Sequence, residues 1–340
     1  MILEVSIKEA FENSEPVIDV RSPGEFESGH IPGAVNIPLF LDAERADVGT
    51  VYKQNSQQAA TELGYSYVRP KLQSFITQSL DAAPDGSVTV HCWRGGMRSR
   101  AFGKHLSENG FNKVRILTGG YKAYRNFVLD ELGLPFDLIV LGGYTGSGKT
   151  HVLHELKKLG EQVVDLEGLA NHKGSAFGGI GQGEQPTVEQ FENNLHYEIS
   201  NLTRQKPIWV EDESHNIGSV KIPMPFYNQM LKASLCFADI PKEERAKHLV
   251  TEYAGCDSEQ LAGSIRRISR RLGGLREKNA IDYLKEGNYY QVALITLAYY
   301  DKFYLKSMKK RDSFDVVRTD LPTVDHKQNA LSVLNLSRRK

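Results

Sequence analysis

The sequence predicts an α/β protein of two domains, each built on a parallel sheet. Three observations carry this. Short apolar runs alternate with amphipathic segments, the pattern of strands joined by crossover helices. The alternation runs once, breaks at "ELGLPFD", where a Gly and a Pro interrupt it between Leu129 and Phe136, and then restarts. Each half also carries a glycine loop between an apolar run and a helix. With 340 residues there is room for two domains of ordinary size. The expected division is 1–130 and 135–340, the second part ending in a helical extension.

In the first half, "PVIDV" (16–20) and "GSVTVHC" (86–92) read as short buried strands bounded by turn residues. "SRAFGKHLSENG" (99–110) follows as a helix with a glycine stop. "VRIL" (114–117) is another strand, and "GGYKAYRNFVLDELG" (119–133) turns on glycine and becomes helical. In the second half, "LPFDLIVLGGYTGSGKTHVLHELKKLG" (134–160) reads as strand, glycine loop and amphipathic helix. "QVVDLEG" and "KPIWVEDES" look like further strands. From about residue 241 the pattern is mainly helical, through "PKEERAKHLVTEYAG", "SEQLAGSIRRISRRLGG" and "NYYQVALITLAYYDKFYLKSMKKR".

Composition narrows the function classes. Hydrophobic residues at 40% and charged residues at 25% suit a globular protein with a proper core. The 42 Lys and Arg balance 42 Asp and Glu, so any nucleic-acid contact must come from a local basic patch. Cys92, Cys236 and Cys256 have neither disulfide-framework nor zinc-ligand spacing, which points to a reducing cytosol. Cys236 and Cys256 lie in mixed apolar surroundings and read as inert. The N-terminus is acidic where a signal peptide would be basic, and no apolar run reaches membrane-spanning length. A cytoplasmic location without membrane contact is the expectation.

Gly143, Gly148, Lys149 and Thr150 complete the pattern G-x-x-x-x-G-K-[ST], with Gly146 and Ser147 inside it. The pattern follows the strand "DLIVLG" and precedes a helix, as a phosphate-binding loop must. Glycines let successive backbone N–H groups turn toward a phosphate, and the helix N-terminus adds positive potential. Lys149 would neutralise terminal phosphate oxygens, and Thr150 would offer its hydroxyl to a magnesium ion. Glu211 and Asp212 end an apolar strand, and Asp212 is the candidate acid for the metal's water. These residues predict a phosphate or diphosphate site and leave open whether a nucleotide carries it.

"VTVHCWRGGMRSRAF" (88–102) is the other glycine loop. A thiol attacks as the thiolate and needs positive surroundings. Cys92 has Arg94 and Arg98 close in sequence, Gly95-Gly96 to free backbone N–H groups, and a helix starting near Ser99. The loop reads as an anion cradle around a nucleophile, suited to sulfur transfer or to dephosphorylation.

At this point the residues carry a resemblance. "VIDVRSPGEFESGHIPGAVNIPL" (17–39) resembles the opening signature of rhodanese domains, whose residues here mostly shape loops beside the active site. "HCWRGGMRS" lies where rhodaneses place the catalytic cysteine, and "LTGGYKAY" resembles their closing segment. Five residues separate Cys92 from Arg98, one more than in common rhodanese loops, and cell-cycle phosphatases of the same fold share the longer spacing. A rhodanese-like domain followed by a P-loop domain is similar to one family, tRNA 2-selenouridine synthase. "CWRGG", the insertion "ERADVGTVYKQNSQQAATELGY", "LANHKGSAFGG", "WVEDES" and "RRLGG" match that family, from about residue 5 to at least residue 310.

The resemblance implies a transferase acting on wobble 2-thiouridine of tRNA. It implies geranylation of the sulfur from geranyl diphosphate, then replacement of the S-geranyl group by selenium from selenophosphate, with no tightly bound cofactor. Cys92 would handle selenium, with Arg94 and Arg98 binding selenophosphate or steadying the thiolate. The P-loop would hold the diphosphate leaving group, with Lys173 in the "NHKGSAFG" loop as a further contact. His172 beside it reads as structural. Arg266, Arg267, Arg270, Arg271 and Arg276 are the candidate tRNA-binding residues, against the alternative of a solvated helix end. The aromatics of "AYYDKFYLKSMKKR" recur at helical spacing and read as core. An enzyme supplying selenophosphate is an implied partner. The competing readings are a cysteine phosphatase or sulfurtransferase fused to a P-loop NTPase, with Glu25 or Asp42 as acid, and a regulatory anion-binding module.

Overall fold

The computed structural model describes residues 2–13, 15–253, 255–308 and 316–338. The chain divides into two units, Met1–Glu131 with Glu192–Asn194, and Leu132–Phe191 with Leu195–Lys340.

The first unit is a parallel sheet of β1 (Ile2–Val5), β2 (Val17–Asp19), β3 (Val35–Asn36), β4 (Ser87–His91) and β5 (Lys113–Leu117), in the order β1-β5-β4-β2-β3. β4 is central and buried on both faces: Val88, Thr89, Val90 and His91 are all inaccessible, as a parallel strand under helices requires. The helix Met97–Glu108 lays Phe102 and Leu106 on this sheet. Gly103 lets the helix approach closely, since a Cβ there would meet Ile116 Cδ1 at 2.7 Å. The insertion between β3 and β4 forms two helices, Asp42–Gln54 and Gln57–Val68, which pack on each other.

The second unit contains β6 (Leu138–Gly143), β7 (Gln162–Val163), β8 (Ile208–Glu211), β9 (Asn216–Ile217), β10 (Val220–Lys221), β11 (Ser234–Asp239) and β12 (Val316–Asp320). Five of them form a parallel sheet in the order β12-β11-β6-β8-β7, and β9 and β10 make a small antiparallel ribbon. The central β6 delivers the glycine loop at its C-terminal end, where open parallel sheets bind ligands. The helices Lys242–Tyr253, Ser258–Leu272, Gly274–Lys285 and Tyr289–Met308 follow. The last three share a core around Leu261, Ile265, Ile268, Leu284 and Val292.

The structure departs from the sequence reading in two places. The chain is not helical to its end, because β12 returns to pair with β11. β12 is an edge strand whose residues alternate between exposed and half-buried, so no apolar run marked it. "QVVDLEG" is a strand only at β7: Asp165 then caps a helical turn, Leu166–Leu169, by accepting from the Gly168 N–H. The basic residues 309–311 and 339–340 lie outside the described residues. No helix among the described residues is long and apolar enough to cross a membrane.

Candidate functional site

In the first unit, Cys92 directly follows β4 and is 3% exposed. The loop Cys92–Gly96 is held against the start of the helix Gly120–Leu132: the N–H groups of Tyr121 and Lys122 donate to the carbonyls of Cys92 and Trp93, both at 2.9 Å. Gly95 and Gly120 interlock at positive φ (63° and 57°). A Cβ on Gly120 would lie 2.3 Å from the Cys92 carbonyl oxygen, and one on Gly95 would lie 2.4 Å from that of Leu117. Both glycines are therefore needed for the loop to close.

Burial opposes charge on the Cys92 thiol. The Ser99 hydroxyl 3.4 Å from Sγ, the Ser99 backbone N–H, the Arg98 charge and the Arg94 N–H outweigh it and bring its pKa down. Ser99 lies in the first turn of the helix Met97–Glu108, so the helix N-terminus supplies part of this field. Arg98 is anchored by Glu25 at 2.9 Å, whereas the Arg94 side chain is exposed. Burial works against the Glu25 charge, but its bond to Arg98 wins and keeps the carboxyl below its usual range. The Asp42 carboxylate accepts from the Gly24 N–H. Asp19 and Arg21 form a fully buried ion pair; Arg21 also donates to the Gly29 carbonyl and lies 3.7 Å over the Tyr121 ring. The "DVR" segment thus fixes the neighbouring loop and presents no free charge.

In the second unit, Gly146 and Gly148 take positive φ (80° and 70°) and wrap the loop that ends at the helix Lys149–Lys158. The loop borders a cleft of about 770 Å³ lined by Gly143, Gly146, Ser147, Gly148, Lys149 and Thr150, a size in the usual ligand range of ~300–1,000 Å³. Arg245 braces the loop from beneath: it donates to the Thr145 and Ile240 carbonyls and forms a two-pronged pair with Asp301. The Gly143 N–H reaches the Tyr304 hydroxyl at 3.2 Å, and that hydroxyl donates to Asp212.

Carboxylates crowd the same cleft. Thr150 Oγ1 donates to Glu167 Oε2 at 2.7 Å. Burial, then the neighbouring Glu167 charge, pushes Glu213 well above the ordinary carboxylate range, although Lys149 pulls the other way. Burial does the same to Glu211, whose Oε2 accepts from the Leu166 N–H. Gly174, at φ 63°, makes room for this group: a Cβ there would lie 2.5 Å from Glu213 Oε2. Lys173, from the same turn, pairs with Glu252 at the cleft wall. His172 packs against Gly178 within the turn. The cleft is also lined by the aromatic and apolar side chains of Tyr227, Leu231, Tyr253, Tyr300 and Phe303. Three aromatics that read as core by spacing, Tyr300, Phe303 and Tyr304, thus face the cleft.

A family model described as "Rhodanese-like domain" matches residues 5–127, and one described as "tRNA 2-selenouridine synthase AAA domain" matches residues 136–330. A tRNA 2-selenouridine synthase of Bdellovibrio bacteriovorus is 36% identical, covering 90% of this chain and 92% of its own. The chain belongs to the tRNA 2-selenouridine synthase family. Relatives of the same name from Pseudomonas syringae pv. syringae and Nitrosomonas europaea are 36% and 32% identical, over 81% and 87% of this chain and 80% and 90% of their own.

For this synthase family member, the residues singled out in the sequence fall into separate groups. Cys92 and Arg94 share one loop of the first unit, and Arg98 stands in the first turn of the helix that follows it. The P-loop residues, Asp212 and Lys173 meet around the cleft of the second. Arg266, Arg267, Arg270 and Arg271 are exposed on the helix Ser258–Leu272, and Arg276 on the next one. Ser99, Glu167, Glu213, Arg245 and Tyr304 also stand at these sites, and the sequence reading assigned them no role. Glu167 stood in a segment read as strand, and Arg245 and Tyr304 lie far along the chain from the loop they contact. Ser99 and Glu213 stood inside "HCWRGGMRS" and "WVEDES", and their spacing was the available signal.

Proposed function

We propose that this chain converts wobble 2-thiouridine in tRNA to 2-selenouridine through an S-geranyl intermediate. In this reading the cleft of the second unit holds geranyl diphosphate. The observation that supports it is the mixed lining of that cleft, which combines a phosphate-binding loop with the aromatic and apolar side chains Tyr227, Leu231, Tyr253, Tyr300 and Phe303. An adjoining recess of about 50 Å³ is lined largely by apolar side chains such as Phe177, Leu261, Leu284, Val292 and Ala293. Apolar and aromatic side chains of this kind suit a prenyl chain.

Lys149 and the loop N–H groups stabilise charge on the departing diphosphate as the geranyl C–O bond breaks and the C–S bond forms. Thr150, Glu167 and Asp212 offer only oxygen donors, which fits a hard cation, and magnesium held there would neutralise phosphate charge. The crowding that raises Glu213 is what such a cation relieves. In the first unit, the lowered pKa of Cys92 supplies a thiolate, and Arg94 and Arg98 supply charge for selenophosphate. The phosphatase reading needs a protonated acid beside the cysteine. Glu25 is held ionised by Arg98, and Asp42 is engaged by a backbone N–H, so neither is set up for that role.

The test supplies 2-thiouridine tRNA, geranyl diphosphate and selenophosphate and resolves the nucleosides by mass spectrometry. Geranylated and selenated uridine are expected. Cys92→Ala should abolish selenation and spare geranylation, whereas Lys149→Ala should impair geranylation. Absence of both products, with rapid hydrolysis of an aryl phosphate, would overturn the reading.

A further inference from the structure

We propose that His151, His248 and His326 form a binding site for one divalent transition-metal ion of the zinc class, beside the phosphate-binding loop. The three imidazoles come from three separate helices: Lys149–Lys158, Lys242–Tyr253 and His326–Ser337. One ring nitrogen from each lies within 4.8 Å of the other two, and all three residues are half-buried. Zinc bound at ~2.0–2.1 Å by tetrahedral nitrogens holds them roughly 3.4 Å apart. Small side-chain rotations would therefore close the set on an ion.

Two further observations point to a ligand. His326 Nε2 is buried and has no hydrogen-bond partner, an arrangement that costs free energy unless something occupies the lone pair or takes the proton. The Glu252 carboxylate stands 3.3 Å from His151 Nε2, where it can orient the ring and lend negative charge to a bound cation. Imidazole nitrogens select zinc, cobalt, nickel or copper over magnesium, which takes oxygen donors. The site is therefore chemically distinct from the oxygen set at Thr150, Glu167 and Asp212.

Its position ties it to the P-loop. The His326 ring packs against Gly148, where an added Cβ would lie 2.9 Å from Cδ2 and Nε2. His151 directly follows Thr150, and His151 and His248 line the cleft. Three protein ligands leave a coordination position open, which water or an oxygen of an anion in the cleft can fill.

The experiment uses the tag-free full chain, stripped of metal by chelation and dialysis. Cobalt(II) is titrated with visible absorption as the readout, and zinc(II) in competition with a chromophoric chelator. One equivalent of each should bind, with a cobalt spectrum typical of nitrogen and oxygen ligands. His248→Ala and His326→Ala, each checked for folding by circular dichroism, should weaken binding at least about tenfold. His248→Gln and His326→Gln serve if an alanine variant fails to fold. Cys92→Ser and Lys149→Ala should leave binding intact, which separates this site from the thiol and from the diphosphate reading. Sub-stoichiometric binding, affinity unchanged in the histidine variants, or a sulfur-to-cobalt absorption lost in Cys92→Ser would each overturn the proposal.

Discussion

Ser99 adds its own hydroxyl to the arginines, glycine N–H groups and helix start that were expected to favour the Cys92 thiolate. Its hydroxyl and N–H both favour the thiolate, while Arg98 acts from a tether on Glu25. Alkylation of Cys92, followed on its own peptide by mass spectrometry, should show a pH midpoint below the free-thiol value of about 8.5. Ser99→Ala should move that midpoint upward, and an unchanged midpoint would remove Ser99 from the site. The carboxylates of the second unit work in the opposite direction. Glu213 titrates higher in the folded chain than unfolded, so its contribution to stability is greatest below the ordinary glutamate range and is lost as pH rises through the raised value. Glu213→Gln should therefore raise the Tm at pH 8 in magnesium-free buffer and leave it little changed at pH 4. A lower Tm at pH 8 would contradict the crowding. Cys92, Lys149 and Thr150 were legible because each sits at fixed spacing inside a local motif. Glu213 directly follows the strand-end pair that the motif logic singled out, and only the fold brings it to Glu167.

The elements show why their loops were easier to read than the supports beneath them. A strand, a glycine loop and a helix are contiguous, so β4 with its cysteine loop and β6 with its P-loop could be placed from pattern alone. What holds the P-loop in shape comes from far along the chain. Arg245 is 2% exposed, and its guanidinium joins the Thr145 and Ile240 carbonyls to the Asp301 carboxylate. Removing Arg245 leaves the half-buried Asp301 carboxylate and the two carbonyls without their partner, which destabilises the loop. Arg245→Ala should lower the Tm by many degrees and weaken diphosphate binding, as read by differential scanning fluorimetry and calorimetry. Arg245→Lys should rescue stability only in part, because an ammonium cannot span both Asp301 oxygens and two carbonyls. Equal behaviour of Arg245→Ala and the parent chain would show that the loop holds its shape unaided. β12 was missed for a related reason: its partner β11 lies some eighty residues earlier, and an edge strand shows no apolar run.

For the molecule as a whole, 42 basic and 42 acidic residues give no net field, so recognition of a polyanion must be local. The exposed arginines of the helix Ser258–Leu272 meet that condition, and one contact connects them to the cleft. The Arg271 guanidinium lies 5.3 Å over the ring of Phe303, which lines the cleft wall. Two explanations of this arginine cluster make different forecasts. If the charges only complement the helix C-terminus, Arg266→Glu with Arg270→Glu should lower the Tm and leave substrate kinetics alone. If they grip tRNA, the double variant should raise the KM for tRNA in geranylation while leaving kcat at saturating tRNA and the affinity for geranyl diphosphate unchanged. The salt dependence separates the two further. Each lost phosphate contact should flatten the slope of log affinity against log salt by about 0.7–0.9. A double variant with the parent's KM and salt slope would move the tRNA site to another face of the protein.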